Sequence, residues 1–78
     1  MDIRNLLEKG HYFMKLGRYD DAIVCFDRVI EEDSHNTTAL EEKGKAYYFL
    51  GRHEDAIVCY DKAIAINPNL ITLWFAKG

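Results

Sequence analysis

The residues best suited to redox or metal chemistry are two cysteines, which lie 34 positions apart. Cys25 and Cys59 occupy the same place in two copies of one sequence pattern. Equivalent positions on neighbouring stacked helices are separated by roughly 8–10 Å or more, whereas a disulfide requires Cα atoms within about 7 Å. No CxxC spacing indicates a metal or redox motif. We therefore expect both cysteines to be reduced, partly buried and packed as small hydrophobic side chains.

Three histidines, His11, His35 and His53, are the next candidates for chemistry. Their spacing does not resemble a zinc site, and no acid–histidine–nucleophile set accompanies them. We expect solvated histidines, with His11 as the one most suited to a binding surface.

Paired carboxylates at Asp20–Asp21 and at Glu31–Glu32 are a combination that can support acid–base catalysis. They belong to an acidic segment, because residues 18–33 carry two positive and six negative side chains, a balance of −4. Residues 2–15 carry three positive and two negative side chains, a balance of +1. A solvated helix face with carboxylates near a helix N-terminus explains the segment better than catalysis does. We predict that the protein is not an enzyme and needs no cofactor.

The positions of these residues follow from a sequence that the chain uses twice. Residues 16–30 read LGRYDDAIVCFDRVI and residues 50–64 read LGRHEDAIVCYDKAI, a shift of 34 positions. A third copy begins, because Trp74 and Gly78 lie 34 positions after Leu40 and Gly44. A fixed period in this range is typical of stacked repeats, in which no single unit buries its apolar face alone.

The amino-acid composition is that of an ordinary globular protein. Its 78 residues are 49% apolar and 29% charged, and the net charge is −3. A net negative charge does not indicate the stripe of basic residues that nucleic-acid binding requires. No apolar run approaches the ~20 residues of a membrane span, and the N-terminus lacks the apolar core of a signal peptide. We expect a single cytoplasmic domain that binds neither nucleic acid nor membrane.

Apolar residues recur at helical spacing along the whole chain and predict an all-α fold of stacked antiparallel helix pairs. Asp2 is the expected N-cap of the first helix, and either Asn36 or Thr38 caps the third. Gly17 and Gly51 interrupt the pattern at equivalent places. The spacing predicts five helices, at residues 3–16, 19–32, 37–50, 54–66 and from Ile71 onward.

Gly10 and Gly44 lie inside predicted helices, where each costs about 1 kcal/mol relative to alanine. A cost that occurs twice at one repeat position indicates a geometric need. We expect Gly10 to face Ala22 and Gly44 to face Ala56, so that the two backbones of each helix pair approach closely.

At these positions the sequence resembles the tetratricopeptide repeat, whose signature is W-x2-L-G-x2-Y, then A-x3-F, then P, at a period of 34. Repeat two matches with Gly44, Tyr47, Ala56, Tyr60 and Pro68, and repeat one matches at the equivalent positions except for its final proline. Leucine replaces the tryptophan in both complete repeats, and lysine replaces the signature leucine throughout. The resemblance implies one domain over residues 1–78, with repeats at 3–36 and 37–70 and a partial third at 71–78.

The resemblance implies a module that binds a protein or peptide partner, in a concave groove lined by the first helix of each repeat. Carried over position by position, the groove residues are Arg4, Leu7, His11, Met14, Lys15, Thr38, Glu41, Lys45, Tyr48, Phe49, Thr72 and Phe75. Some members clamp a partner's C-terminal carboxylate with lysines, asparagines and an arginine. The matching positions here are Leu7, His11, Glu42, Thr72 and Ala76, which cannot form that clamp.

The alternative is a structural piece that assembles with copies of itself. Solenoids normally end in a helix with a polar outer face, yet residues 70–76 are apolar apart from Thr72. Trp74 alone can bury on the order of 200 Å². This interpretation predicts a homo-oligomer held through the C-terminal helix, either by end-to-end stacking or by exchange of that helix, with Leu73 and Trp74 as the self-association residues.

Overall fold

The computed structural model describes residues 2–68 and builds them from four α-helices, with no strand in that range. These helices are α1 (Ile3–Lys15), α2 (Tyr19–Glu32), α3 (Thr37–Phe49) and α4 (His53–Ile66). The all-α prediction is confirmed, and the predicted helix ends agree to within one residue. The fifth helix, expected from Ile71, lies outside the described residues, so the prediction of five helices is not supported.

The first helix of each repeat begins at a side-chain cap. The Asp2 carboxylate accepts a hydrogen bond from the Arg4 backbone N–H at 3.1 Å, and the Asn36 side-chain oxygen accepts one from the Ala39 backbone N–H at 2.9 Å. Each bond satisfies an amide that has no partner within its helix. Asn36, rather than Thr38, is therefore the cap of α3.

The turn inside each helix pair is the same structure built twice. Gly17 has a φ of 76° and Gly51 a φ of 80°, the left-handed region that favours glycine. In the first turn, the Arg18 N–H donates to the Phe13 carbonyl at 2.9 Å; in the second, the Arg52 N–H makes the equivalent bond at 2.9 Å. This is the Schellman ending of a helix, in which the glycine reverses the chain.

The two glycines inside α1 and α3 make room for an aromatic ring. A Cβ added to Gly10 would lie 2.4 Å from Phe26 Cε1, and one added to Gly44 would lie 2.8 Å from Tyr60 Cε1. The nearest groups are therefore these rings and not the predicted partners, Ala22 and Ala56. The ring is larger than a methyl group, so it fills the space over the missing side chain.

The core runs through three helices rather than stopping at each pair. Leu6 of α1, Phe26 of α2 and Ala39 of α3 belong to one buried cluster, and Phe26 is fully buried. An ion pair between Lys43 of α3 and Asp27 of α2 also joins the two repeats. The helices therefore pack in the order α1–α2–α3–α4, with α2 covered on both sides.

Both cysteines pack into this core. Cys25 and Cys59 are buried and free, as predicted. Burial raises the pKa of both thiols, which keeps them in the less reactive protonated form. Among residues 2–68, no helix combines the length and apolar character that a membrane crossing requires.

Candidate partner-binding surface

The groove residues predicted from α1 remain on one helix but differ in exposure. Arg4, His11 and Lys15 are exposed. Leu7 and Met14 are half-buried because they pack against the hydrophobic core. Their apolar atoms therefore form the floor of this side of the surface rather than its rim.

The groove residues predicted from α3 are Thr38, Glu41, Lys45, Tyr48 and Phe49. Thr38 is exposed, and Glu41 and Lys45 are half-buried. Tyr48 and Phe49 are 39% and 54% exposed, which is high for aromatic side chains. Thr72 and Phe75, expected to extend the groove, lie outside the described residues.

The two halves of the surface meet at a polar cluster that is centred on Glu42. His11 Nε2 lies 3.8 Å from the Glu42 Oε1 atom, and Lys45 Nζ lies 3.4 Å from the same oxygen. The Glu42 side chain is only 17% exposed. Sequence reasoning did not include Glu42 among the binding residues, although its spacing of three from Lys45 was a signal for an ion pair on one helix face. Its charge lowers the balance of the described groove residues from +2 to +1.

Partial burial changes the acid–base properties of this cluster. Burial raises the pKa of Glu41, and Lys45 opposes that rise. Beneath the cluster, burial raises the pKa of the Tyr60 hydroxyl to about 12, and the charge of Glu42 adds to the effect. Because Glu41, Glu42 and Lys45 are half-buried, a charged contact made there is screened less by water than one on the open surface.

Next to the polar cluster is an aromatic row formed by Tyr19, Phe49, Tyr48 and His53. Phe49 stacks on Tyr19 of α2 with ring centroids 5.2 Å apart, and Tyr48 meets His53 of α4 edge-on at 5.1 Å. Adjacent helical residues point in different directions, so Phe49 reaches back to repeat one while Tyr48 turns toward its own repeat. Tyr19 and His53 were not predicted as site residues, because their role depends on a contact between helices.

The remaining candidates for chemistry do not form a metal site in the described part of the chain. No group of three or more histidine, cysteine, aspartate or glutamate side chains within residues 2–68 is placed to hold a metal ion. His35 lies in the turn before α3 and hydrogen-bonds its neighbour Ser34 at 3.4 Å. The predicted self-association residues, Leu73 and Trp74, lie outside the described residues.

Comparison with models of known protein families identifies a match. The family model for the tetratricopeptide repeat matches residues 7–71, which is more than half of the chain. No curated protein matches the chain. The matched range covers the glycine-containing turns, both buried aromatic rings and the polar cluster.

Proposed function

The chain belongs to the tetratricopeptide repeat family, and from this membership we propose that it binds a segment of a partner protein on the surface formed by α1 and α3. Repeats of this family generally mediate protein–protein interaction and are typically non-catalytic. The finer proposal is that the aromatic row and the Glu42 cluster together form the binding surface.

The exposure of Tyr48 and Phe49 is the observation that carries this proposal. Together they present a large aromatic area on a helix whose other aromatic residue, Tyr47, is half-buried. Exposed aromatic side chains supply much of the binding energy at protein interfaces, because they bury a large area at little cost in conformational entropy. Contacts with Tyr19 and His53 hold the two rings, which lowers that cost further.

The polar cluster supports the choice of this face over the acidic outer helices. His11, Lys45 and the two carboxylates Glu41 and Glu42 offer both donors and acceptors at a half-buried position. A partner segment with an apolar anchor and a polar residue one helical turn away would match this arrangement. We propose that Met14 and Leu7 support the anchor from below.

The test is a double substitution, Tyr48→Ala with Phe49→Ala. We expect partner affinity to fall by roughly 2–4 kcal/mol, with helicity by circular dichroism largely unchanged. Tyr12→Ala is the matched control, because Tyr12 is 60% exposed on α1 and is not among the groove residues. A partner would be captured with the wild type, purified and titrated calorimetrically against each variant. Unchanged binding by the double variant would remove this surface from consideration.

Self-association is a second candidate, and the outer face of α4 favours it. Ile57 is 45% exposed, whereas its counterpart Ile23 is 8% exposed beneath α3. At the opposite end of the molecule, the Tyr12 ring holds the position where stacking of repeat two on repeat one buries the small Ala46 side chain, so this end does not match the buried face of α3. Copies would therefore meet through two α4 faces, with Leu73 and Trp74 contributing.

Sedimentation velocity at tens of micromolar distinguishes this candidate from partner binding. Self-association predicts a wild-type dimer that Ile57→Glu and Trp74→Ala convert to monomer, while Tyr12→Asp has no effect. A wild-type monomer would contradict self-association and leave the partner-binding proposal standing.

A further inference from the structure

A crevice occurs at the same place in both repeats, and its lining differs between them. The repeat-one crevice has a volume of about 250 Å³ and is lined by Leu6, Arg28, Glu31 and Glu32. The repeat-two crevice is larger, about 350 Å³, and four of its lining residues lie 34 positions later: Leu40, Lys62, Ala65 and Ile66. It shares no residue with the surface proposed for partner binding.

At two equivalent lining positions, the first crevice has acidic residues and the second has apolar residues. Glu31 and Glu32 of the first crevice become Ala65 and Ile66 in the second, while the cation is kept as Lys62 in place of Arg28. The end of α2 closes the repeat-two crevice with Ile30. No carboxylate is among its lining residues in the described part of the chain. The described lining is therefore largely apolar, with two lysines and no carboxylate of its own.

Two ammonium groups face this cleft. Lys43 and Lys62 both line it, together with Cys59 at its floor. Burial raises the pKa of the Cys59 thiol; the positive charges of Lys43 and Lys62 oppose that rise, and the negative charges of Asp27 and Asp55 add to it. Lys43 is paired with Asp27, but Lys62 forms no ion pair with any residue in the range 2–68. Lys62 is therefore the cation available to a ligand.

We propose that the repeat-two crevice binds a small aliphatic carboxylate. The alkyl chain would lie against Ile30, Leu40 and Ile66, and the carboxylate would accept hydrogen bonds from Lys62 at the rim. A volume of about 350 Å³ is at the lower end of the ~300–1,000 Å³ of small-molecule sites, so the ligand is a short chain. An ammonium–carboxylate bond at the edge of an apolar cleft is stronger than the same bond in open water.

Octanoate is the probe, titrated into ¹⁵N-labelled protein with amide shifts as the readout. We expect shifts confined to residues around the repeat-two crevice, and a dissociation constant that rises about tenfold or more in Lys62→Glu. Arg28→Glu is the matched control in the repeat-one crevice and should leave octanoate binding unchanged. 1-Octanol, which has the chain but no carboxylate, should bind about tenfold more weakly or worse.

A second variant copies the acidic wall of repeat one into repeat two. Ala65 and Ile66 are both exposed, so Ala65→Glu with Ile66→Glu should fold and should abolish octanoate binding. Three results would overturn the proposal: no saturable binding to the wild type, equal binding of octanol and octanoate, or equal losses in Lys62→Glu and Arg28→Glu. Because the proposed partner-binding surface is not involved, failure of the partner-binding proposal in the calorimetric titration would leave this experiment unaffected.

Discussion

Repeat one (α1 and α2) and repeat two (α3 and α4) share a sequence pattern but not an environment. Both have the same turn, the same glycine under an aromatic ring and the same buried cysteine. Yet Ile23 is buried while Ile57 is exposed, although both stand in the segment AIVC. The difference arises because α3 covers α2, whereas no described helix follows α4. In a stacked-repeat protein, contacts at the junction between repeats therefore contribute to stability as much as contacts within a repeat.

The largest expected contrast comes from truncating these two isoleucines. Ile23→Ala should cost about 2–4 kcal/mol because it opens a cavity between α2 and α3. Ile57→Ala should cost less than about 1 kcal/mol, since that side chain is half in solvent already. Urea unfolding of the two variants measures both values. Equal costs would mean that the α4 face is covered in solution, by the rest of the chain or by a second copy.

The next largest effect on stability is expected from substituting Gly10 and Gly44, the glycines that lie beneath the aromatic rings. In Gly10→Ala, overpacking against fully buried Phe26 should lower the free energy of unfolding by about 1–3 kcal/mol. The higher helix propensity of alanine should raise it by about 1 kcal/mol. We expect a net loss of up to about 2 kcal/mol, and a smaller loss for Gly44→Ala, because its added Cβ would lie 2.8 Å rather than 2.4 Å from the ring. Thermal unfolding monitored by circular dichroism ranks the two. A larger loss at Gly44 would reverse our view of which repeat packs more tightly.

Helix caps should produce a smaller contrast. Asn36→Ala should cost about 1 kcal/mol, because it leaves an amide of α3 without its acceptor in the middle of the fold. Asp2→Ala removes the same kind of bond at the chain terminus, where fraying lowers its value. Hydrogen exchange at the first turns of α1 and α3 separates the two effects. If both helices lose equal protection, then α1 is held as firmly as α3.

The smallest effect concerns Glu41, which stands where repeat one has Leu7. Burial raises the pKa of Glu41, with Lys45 opposing and Glu42 adding to the rise. A carboxyl whose pKa is raised on folding favours the folded state when protonated and opposes it when ionised. Glu41→Gln should therefore raise the melting temperature at pH 7, and the gain should shrink as pH falls through the pKa of the folded state. A gain that grows toward low pH would contradict this sign.

Much of the fold could be predicted from one sequence because the repeat pattern occurs in it twice. The period of 34, the turn glycines and the helical spacing of apolar residues placed all four described helices to within one residue. The partners of Gly10 and Gly44 were predicted wrongly, since a small residue was expected to need another small residue. In the fold, a ring from the facing helix fills the space instead.

The candidate binding surface could be predicted from the sequence only in part. Tyr48 and Phe49 were proposed as a pair, and their divergence follows from helix geometry alone. That Phe49 stacks on Tyr19, thirty positions earlier, depends on how repeat two is placed against repeat one. From the sequence, Glu42 was considered only as a position that cannot clamp a carboxylate, while in the fold it joins His11 to Lys45.

The sequence by itself determined the family, the helices and their turns, because those depend on local periodicity and on backbone conformations that only certain residues adopt. The tertiary structure alone decided which copy of each repeated residue is buried, which charge is left without a partner and which rings touch. Ile23 and Ile57 carry the same local information, as do Lys9 and Lys43, of which only Lys43 forms an ion pair within residues 2–68. Their environments differ because burial and ion pairing depend on what lies across the junction, which no residue encodes in its own identity.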